Sequence, residues 1–195
     1  MELKAICVYC GSSEGRNPEY AKAAERLGRL LAERGITLVY GGANVGLMRI
    51  LADAAMAGGG KAVGVMPKAL VEKEKAHGNL TRLHVVASMH ERKALMAELS
   101  DGFIALPGGA GTMDELFEVW TWAQLGFHRK PCGLLNIASY YDPLAAFLDH
   151  SVTEGFVKDL HRDMLVMADT PEAMLDRFRT YVPPTVEKWI QRNET

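Results

Sequence analysis

DGFIALPGGAGTMDELFE, residues 101–118, is the stretch whose reading decides the fold. Residues 102–106, with Phe103 and Ile104, form a short apolar run of the kind a strand buried on both faces presents. Pro107 ends it. Gly108, Gly109 and Gly111 then predict a tight loop whose backbone can lie close to a ligand, and helical spacing resumes over residues 112–123. A strand, a glycine loop and a helix N-terminus in that order make an anion site, because unpaired N–H groups and the positive end of the helix dipole point at one spot. Phosphate is the expected occupant. The same residues also fit plain turn chemistry: TMDE at 112–115 matches a capping box, in which Thr112 caps the helix and Glu115 reaches back to the Thr112 N–H. No Lys-Ser or Lys-Thr follows the last glycine, so this is not a Walker loop, and no acidic ribose partner completes a dinucleotide fingerprint.

The same grammar repeats on either side. Residues 3–9 (LKAICVY) read as a strand followed by the turn Cys10-Gly11-Ser12-Ser13. Asn17 and Pro18 open a helix that Gly35 stops, and residues 36–40 are a second strand. GGANVG at 41–46 is a second glycine loop running into a helix over 47–57, which three glycines end before a third strand at 61–66. Residues 67–80, carrying Glu72, Glu74 and His77, are polar and irregular and predict an active-site lid or a weak helix. A strand at 82–86 and a capping-box helix from Ser88 through Leu99 lead into the opening stretch. Beyond it come a strand at 132–137, a helix over 144–154, a strand at 164–167 and a helix over 171–181. Pro183-Pro184 sets a terminal segment, 183–195, apart from a single domain of residues 1–182. Alternation on this scale predicts an α/β protein with an open, mostly parallel sheet covered by helices on both faces. The turns after Tyr9, Tyr40, Val86 and Leu106 then converge at the carboxyl edge, where such sheets hold their ligands.

The composition narrows the function. A formal charge of −2 supplies no basic field for nucleic acid. No apolar run reaches the roughly 20 residues that cross a bilayer. Three cysteines, an odd number, without a signal-peptide pattern point to a reduced, cytoplasmic compartment. Cys7 and Cys10 are formally CxxC but lie largely in a strand, where positions three apart face opposite ways, and no second pair completes a zinc site. The six histidines show no metal-ligand spacing, so no metal is expected.

Two side chains stand out. Arg92 falls in the fourth position of the Ser88 helix on one stripe with Met96 and Leu99, so its base faces the sheet at the ligand edge, where a guanidinium can fork onto phosphate or ribose oxygens. Lys93 sits beside it; the plain alternative is a solvated charge run, Glu91-Arg92-Lys93. A phosphate in the glycine loop would repel Asp114 and Glu115, so at least one carboxylate must be aimed past it or matched by a cation such as Arg92. With a nucleoside monophosphate in place, Glu115 could activate water or stabilise an oxocarbenium-like transition state at the N-glycosidic bond. Residues 121–127 (TWAQLGF), after Trp120, are unusually aromatic for one solvent-covered helix; they could be core, but the preferred reading is a partly exposed dimer face.

YGGANVGLM at 40–48, EKAH at 74–77, SMHERKALM at 88–96, PGGAGTMDE at 107–115 and TWAQLGFHRKP at 121–131 resemble the Lonely Guy family of cytokinin riboside 5′-monophosphate phosphoribohydrolases, many bacterial members of which are labelled possible lysine decarboxylase. The resemblance implies a Rossmann-like homodimer that hydrolyses a nucleoside 5′-monophosphate to free base and ribose 5-phosphate without a cofactor. It implies Arg92 and Glu115 as the catalytic pair. The substrate-binding set would be Gly108, Gly109, Ala110, Gly111, Thr112, Met113 and Asp114 of the loop, with phosphate on 109–112, together with Glu74, Lys93 and Thr121. The chain departs from the family in Ala43 for a glycine, Arg49 for a glycine, Ala110 for a frequent Tyr or Val, and Asp114 for a glutamate. These differences bear on base preference. Lysine decarboxylation would need pyridoxal phosphate on a Schiff-base lysine with a carboxylate at the pyridinium nitrogen, and no lysine stands out for that role. The alternative from another class is a non-catalytic carrier of a nucleotide or nucleotide-like cofactor, which needs the glycine loop but not both Arg92 and Glu115.

Overall fold

The computed structural model describes residues 2–71 and 76–185. The elements run β1 (Ala5–Tyr9), α1 (Pro18–Glu33), β2 (Thr37–Tyr40), α2 (Gly46–Ala57), β3 (Ala62–Pro67), α3 (Lys68–Val71), β4 (Arg82–Val86), α4 (Met89–Glu98) and β5 (Gly102–Ala105). They continue with α5 (Ala110–Gln124), β6 (Cys132–Leu135), α6 (Asp142–Thr153), α7 (Asp159–Arg162), β7 (Leu165–Ala168) and α8 (Pro171–Arg179). The strands form one sheet in the order β4-β3-β2-β1-β5-β6-β7, and every neighbouring pair is parallel. The order reverses between β1 and β5, so the loops after these two strands open a crevice at the carboxyl edge.

Both faces of the sheet are buried along β1, β2, β3, β5 and β6, which is why these strands read as continuous apolar runs, while the edge strand β4 has no buried residue. One core packs Leu27 and Leu31 of α1, Leu51 of α2 and Phe178 of α8 against Ile6, Val8 and Leu38. The other packs Met96 of α4 and Leu116, Val119 and Trp120 of α5 against Cys7, Tyr9, Val39 and Phe103. Cys7 and Cys10 therefore stand on opposite faces, and burial pushes both thiols well up from their ordinary range.

Two expectations need correction. α5 starts at Ala110, with Gly109 as its N-cap in an extended conformation and no side-chain cap bond, so the Thr112–Glu115 capping box does not form. An extended glycine is an acceptable N-cap, and it let the helix begin inside the loop that the sequence pattern had kept separate. Residues 67–80 contain the short helix α3, in line with the weak-helix reading of this segment. The segment then returns to the sheet edge, where Ala76 bridges Ala43 and the His77 N–H donates to the Gly42 carbonyl at 3.0 Å. Second, Trp120 takes the core alternative and not the exposed face preferred for this stretch: it is buried and its Nε1–H donates to the His161 carbonyl at 2.9 Å. Glu74 and most of the terminal segment 183–195 lie outside the described residues. Among the described residues, no helix is long and apolar enough to cross a membrane.

Candidate active site

Two helices that start at the carboxyl edge deliver the charged groups. α4 is held by Ser88, whose Oγ accepts from the Glu91 N–H at 3.1 Å, while Glu91 Oε2 accepts from the Ala87 N–H at 2.8 Å. This is the predicted box, with the return bond displaced by one residue. It fixes α4 so that Arg92 points inward, and Arg92 is only 7% exposed although fully charged residues are rarely buried. The charge-run reading therefore fails for Arg92. Its Nε donates to the Val65 carbonyl on β3 at 3.1 Å, Nη1 lies 3.7 Å from Met89 Sδ, and Nη2 lies 3.7 Å from Glu115 Oε1.

Glu115 comes from the second turn of α5, about 7.5 Å along the axis from the helix start. Because Gly109 caps the helix, the carboxylate has no capping duty and is turned to Arg92 instead. Asp114 is matched separately: Lys93 Nζ lies 3.3 Å from Asp114 Oδ2 and 3.1 Å from Glu118 Oε2. Burial opposes the charge on Lys93, but its bonds to Glu118 and Asp114 outweigh it and hold the ammonium above its ordinary value. Both acids beside the loop are thus matched by cations. Glu118 is a participant that the sequence reading missed, and its i, i+4 spacing from Asp114 was the available signal.

The glycine loop is pinned from below. Tyr141 Oη donates to the Leu106 carbonyl at 2.7 Å and Tyr140 Oη to the Gly108 carbonyl at 2.6 Å. The Gly11 N–H donates to the Pro107 carbonyl at 3.1 Å, which joins the β1 turn to the loop. Gly108 has to lack a side chain, since a Cβ there would overlap the Thr112 hydroxyl. The loop carbonyls being engaged, the first-turn amides at Gly109, Ala110, Gly111 and Thr112 point away from them, and the helix carries no acidic residue in its first turn to compete for an anion. A cavity of about 300 Å³ lies against the loop, lined by Ser12, Ser13, Tyr20, Leu47, Gly108 and Tyr140 among others. Ser12 and Ser13, in the turn after β1, reach the loop through the β1–β5 pairing, and Tyr140, which no motif singled out, reaches it through the β5–β6 pairing.

The structure thus brings together Arg92, Lys93, the 108–114 loop and Glu115. Thr121 is exposed on α5, about 9 Å along the axis beyond Glu115. Met113 is half-buried and packs on the α4–α5 core. Beyond the site, Trp122, Phe127, Phe103, Ala94 and Ala97 line an apolar groove of about 690 Å³ between the ends of α4 and α5, with His128 and Lys130 at its side.

Fold and site together define a Rossmann-like α/β protein with a glycine-rich loop at its switch point and a buried Arg–Glu pair beside it. The family described as Possible lysine decarboxylase matches residues 48–178. A probable cytokinin riboside 5′-monophosphate phosphoribohydrolase of Oryza sativa subsp. japonica is 51% identical over 182 residues, 93% of this chain and 74% of that one. A cytokinin riboside 5′-monophosphate phosphoribohydrolase of Rhodococcoides fascians is 49% identical over 178 residues, 91% of this chain and 90% of that one. The chain belongs to this phosphoribohydrolase family. Among solved structures, the molybdenum cofactor binding protein of Rippkaea orientalis is similar with a TM-score of 0.70 at 24% identity, covering 92% of this chain and 98% of that one. At that identity the likeness shows the fold alone.

Proposed function

We propose that this chain hydrolyses the N-glycosidic bond of a nucleoside 5′-monophosphate, of the cytokinin riboside type or AMP, to free base and ribose 5-phosphate. The observation that carries the reading is the buried pair of Arg92 and Glu115, 3.7 Å apart, one helical turn beyond a glycine loop that an anion would occupy. With the phosphate on the amides of 109–112, the ribose extends along α5 and its anomeric carbon comes to the level of Glu115.

Chemistry follows from the charges. As the bond from the anomeric carbon to the base nitrogen breaks, its electron pair leaves with the base and the sugar gains oxocarbenium character. The Glu115 carboxylate stabilises that positive charge and takes a proton from the attacking water, whose oxygen forms the new bond to the anomeric carbon, and that proton then passes to the departing base nitrogen, which restores the carboxylate. Arg92 holds the carboxylate in its ionised form and offers N–H donors to the ribose or phosphate oxygens. Lys93, with Asp114 and Glu118, sets the second wall of the site. Lysine decarboxylation finds no support in the same residues, because Lys93 is held charged by two carboxylates rather than poised as a neutral nucleophile.

The apolar groove beside α4 and α5 supports a homodimer, with Trp122 and Phe127 as its anchors. Odd, buried, unbridged cysteines support a reducing, cytoplasmic setting. The test is to incubate the protein with AMP and with isopentenyladenosine monophosphate and quantify base and ribose 5-phosphate. Equimolar release of both products supports the hydrolase, and the ratio between substrates reports base preference. Tight binding of both nucleotides without release would make the protein a carrier.

A further inference from the structure

We propose that Gly41 is a positioning residue for Arg92: the side chain it lacks is the space in which the guanidinium lies. The inference rests on the reading of Arg92 and Glu115 given above. Gly41 is buried in the turn after β2, under the guanidinium that α4 sends across the sheet edge. A Cβ on Gly41 would overlap Arg92 Nη2, with Arg92 Cζ at 3.4 Å and Met48 Sδ at 3.2 Å.

The requirement is steric and not conformational. Gly42 has φ +81°, a left-handed backbone that itself favours glycine, and a Cβ there would stand 3.3 Å from the Gly64 Cα. Gly41 is outside that region, so alanine fits its backbone, and what stands in the way is the guanidinium, with the flexible Met48 thioether tip as a lesser contact. The adjacent glycines therefore do different jobs. Gly42 makes the turn and Gly41 leaves the space.

The overlap also falls at an informative end of the side chain. Arg92 Nε is tied to the Val65 carbonyl, so a methyl group at position 41 turns the head group about that bond and moves Nη2. Nη2 is the nitrogen that faces Glu115. Because it is the tip of a flexible chain, the fold can absorb the change while the Arg–Glu geometry cannot.

The experiment compares wild type, Gly41→Ala, Arg92→Lys and the double variant, by steady-state base release, by thermal midpoint and by the ¹H–¹⁵N spectrum of arginine Nε–H groups. The Arg92 Nε–H signal is assigned by its loss in Arg92→Lys. For Gly41→Ala we expect this signal to move, the midpoint to stay near wild type, and kcat to fall about 100-fold, the scale of an ångström-level misplacement. KM should change by less than roughly threefold, since a displaced transition-state contact lowers kcat rather than binding. In the Arg92→Lys background the same alanine should cost less than about threefold, because its target is gone. An unmoved Nε–H signal, or the full loss of rate recurring on top of Arg92→Lys, overturns the proposal. A wild type that cleaves neither nucleotide refutes the hydrolase reading instead, and the Nε–H signal then still decides whether Gly41 places Arg92.

Discussion

Arg92 Nη2 and Glu115 Oε1 face each other at 3.7 Å across the gap between α4 and α5, with side chains 9% and 12% exposed. A pair this buried is held by its surroundings as much as by its own attraction, since each charge has given up water. Here the Val65 carbonyl holds the guanidinium, and the α5 start at Gly109 sets the height of the carboxylate. Removing either partner leaves the other buried.

That asymmetry separates two substitutions of Arg92. Arg92→Ala should lower stability by about 3 kcal/mol and abolish base release, because it takes away the buried cation that faces Glu115. Arg92→Lys keeps the charge but cannot bond Val65 and face Glu115 with separate nitrogens, so kcat should fall about 100-fold with a smaller stability loss. Urea melts and initial rates check both. A lysine variant working at the wild-type rate would mean that charge alone suffices.

Gly28 of α1 gives a test of packing in which helix propensity predicts the wrong sign. In an open helix Gly→Ala gains about 1 kcal/mol. A Cβ on Gly28 would overlap the Leu51 carbonyl oxygen and stand 2.9 Å from Ala54 Cβ, both on α2. Neither neighbour is a flexible tip, so Gly28→Ala should destabilise by about 2 kcal/mol as the two helices part. A raised denaturation midpoint would show that α1 and α2 are not this close.

His128 makes stability depend on pH. Its Nε2–H donates to the Val119 carbonyl at 2.8 Å while Nδ1 accepts from the Lys130 N–H at 3.1 Å, which together define the neutral ring. Burial lowers its pKa to about 4, the nearby Lys130 charge adding to the effect and the Val119 bond partly offsetting it. The folded pKa lies below the unfolded value, so between about pH 6.5 and 4 the unfolded chain binds the extra proton. The stability from His128 is complete above about pH 6.5 and falls by up to roughly 3 kcal/mol as pH drops to about 4. His128→Gln should therefore be less stable than wild type at pH 7 and lose that deficit near pH 4.5. Parallel stability curves for the two proteins at fixed concentration would contradict this.

Much of the fold was legible because its signals are local. β5, the glycine loop and the inward stripe of α4 follow from apolar runs, glycines and a capping box within a few residues of one another. The sequence reading failed where a local pattern had two structural solutions: TMDE at 112–115 is a capping box only if the helix starts there, and Gly109 lets it start earlier. It also failed where burial is decided across the sheet. Trp120 looked like part of a surface patch until His161 supplied its hydrogen-bond partner from 41 positions away. Gly41 could be read as a turn glycine, but its contact with Arg92 joins two strand ends that only the sheet order brings together. Glu118 and Tyr140 reach the site by the same kind of distant pairing.

The most direct test is Glu115→Gln, measured side by side with wild type for nucleotide binding and base release. Since Gly109 and not Thr112 caps α5, the substitution removes a charge and no cap bond, so the helix should keep its start. The account predicts that the variant binds AMP or isopentenyladenosine monophosphate within about tenfold of wild type and releases base at least about 1,000 times more slowly, as expected when a general base and charge stabiliser is lost. A Gln variant that releases base at the wild-type rate would contradict it.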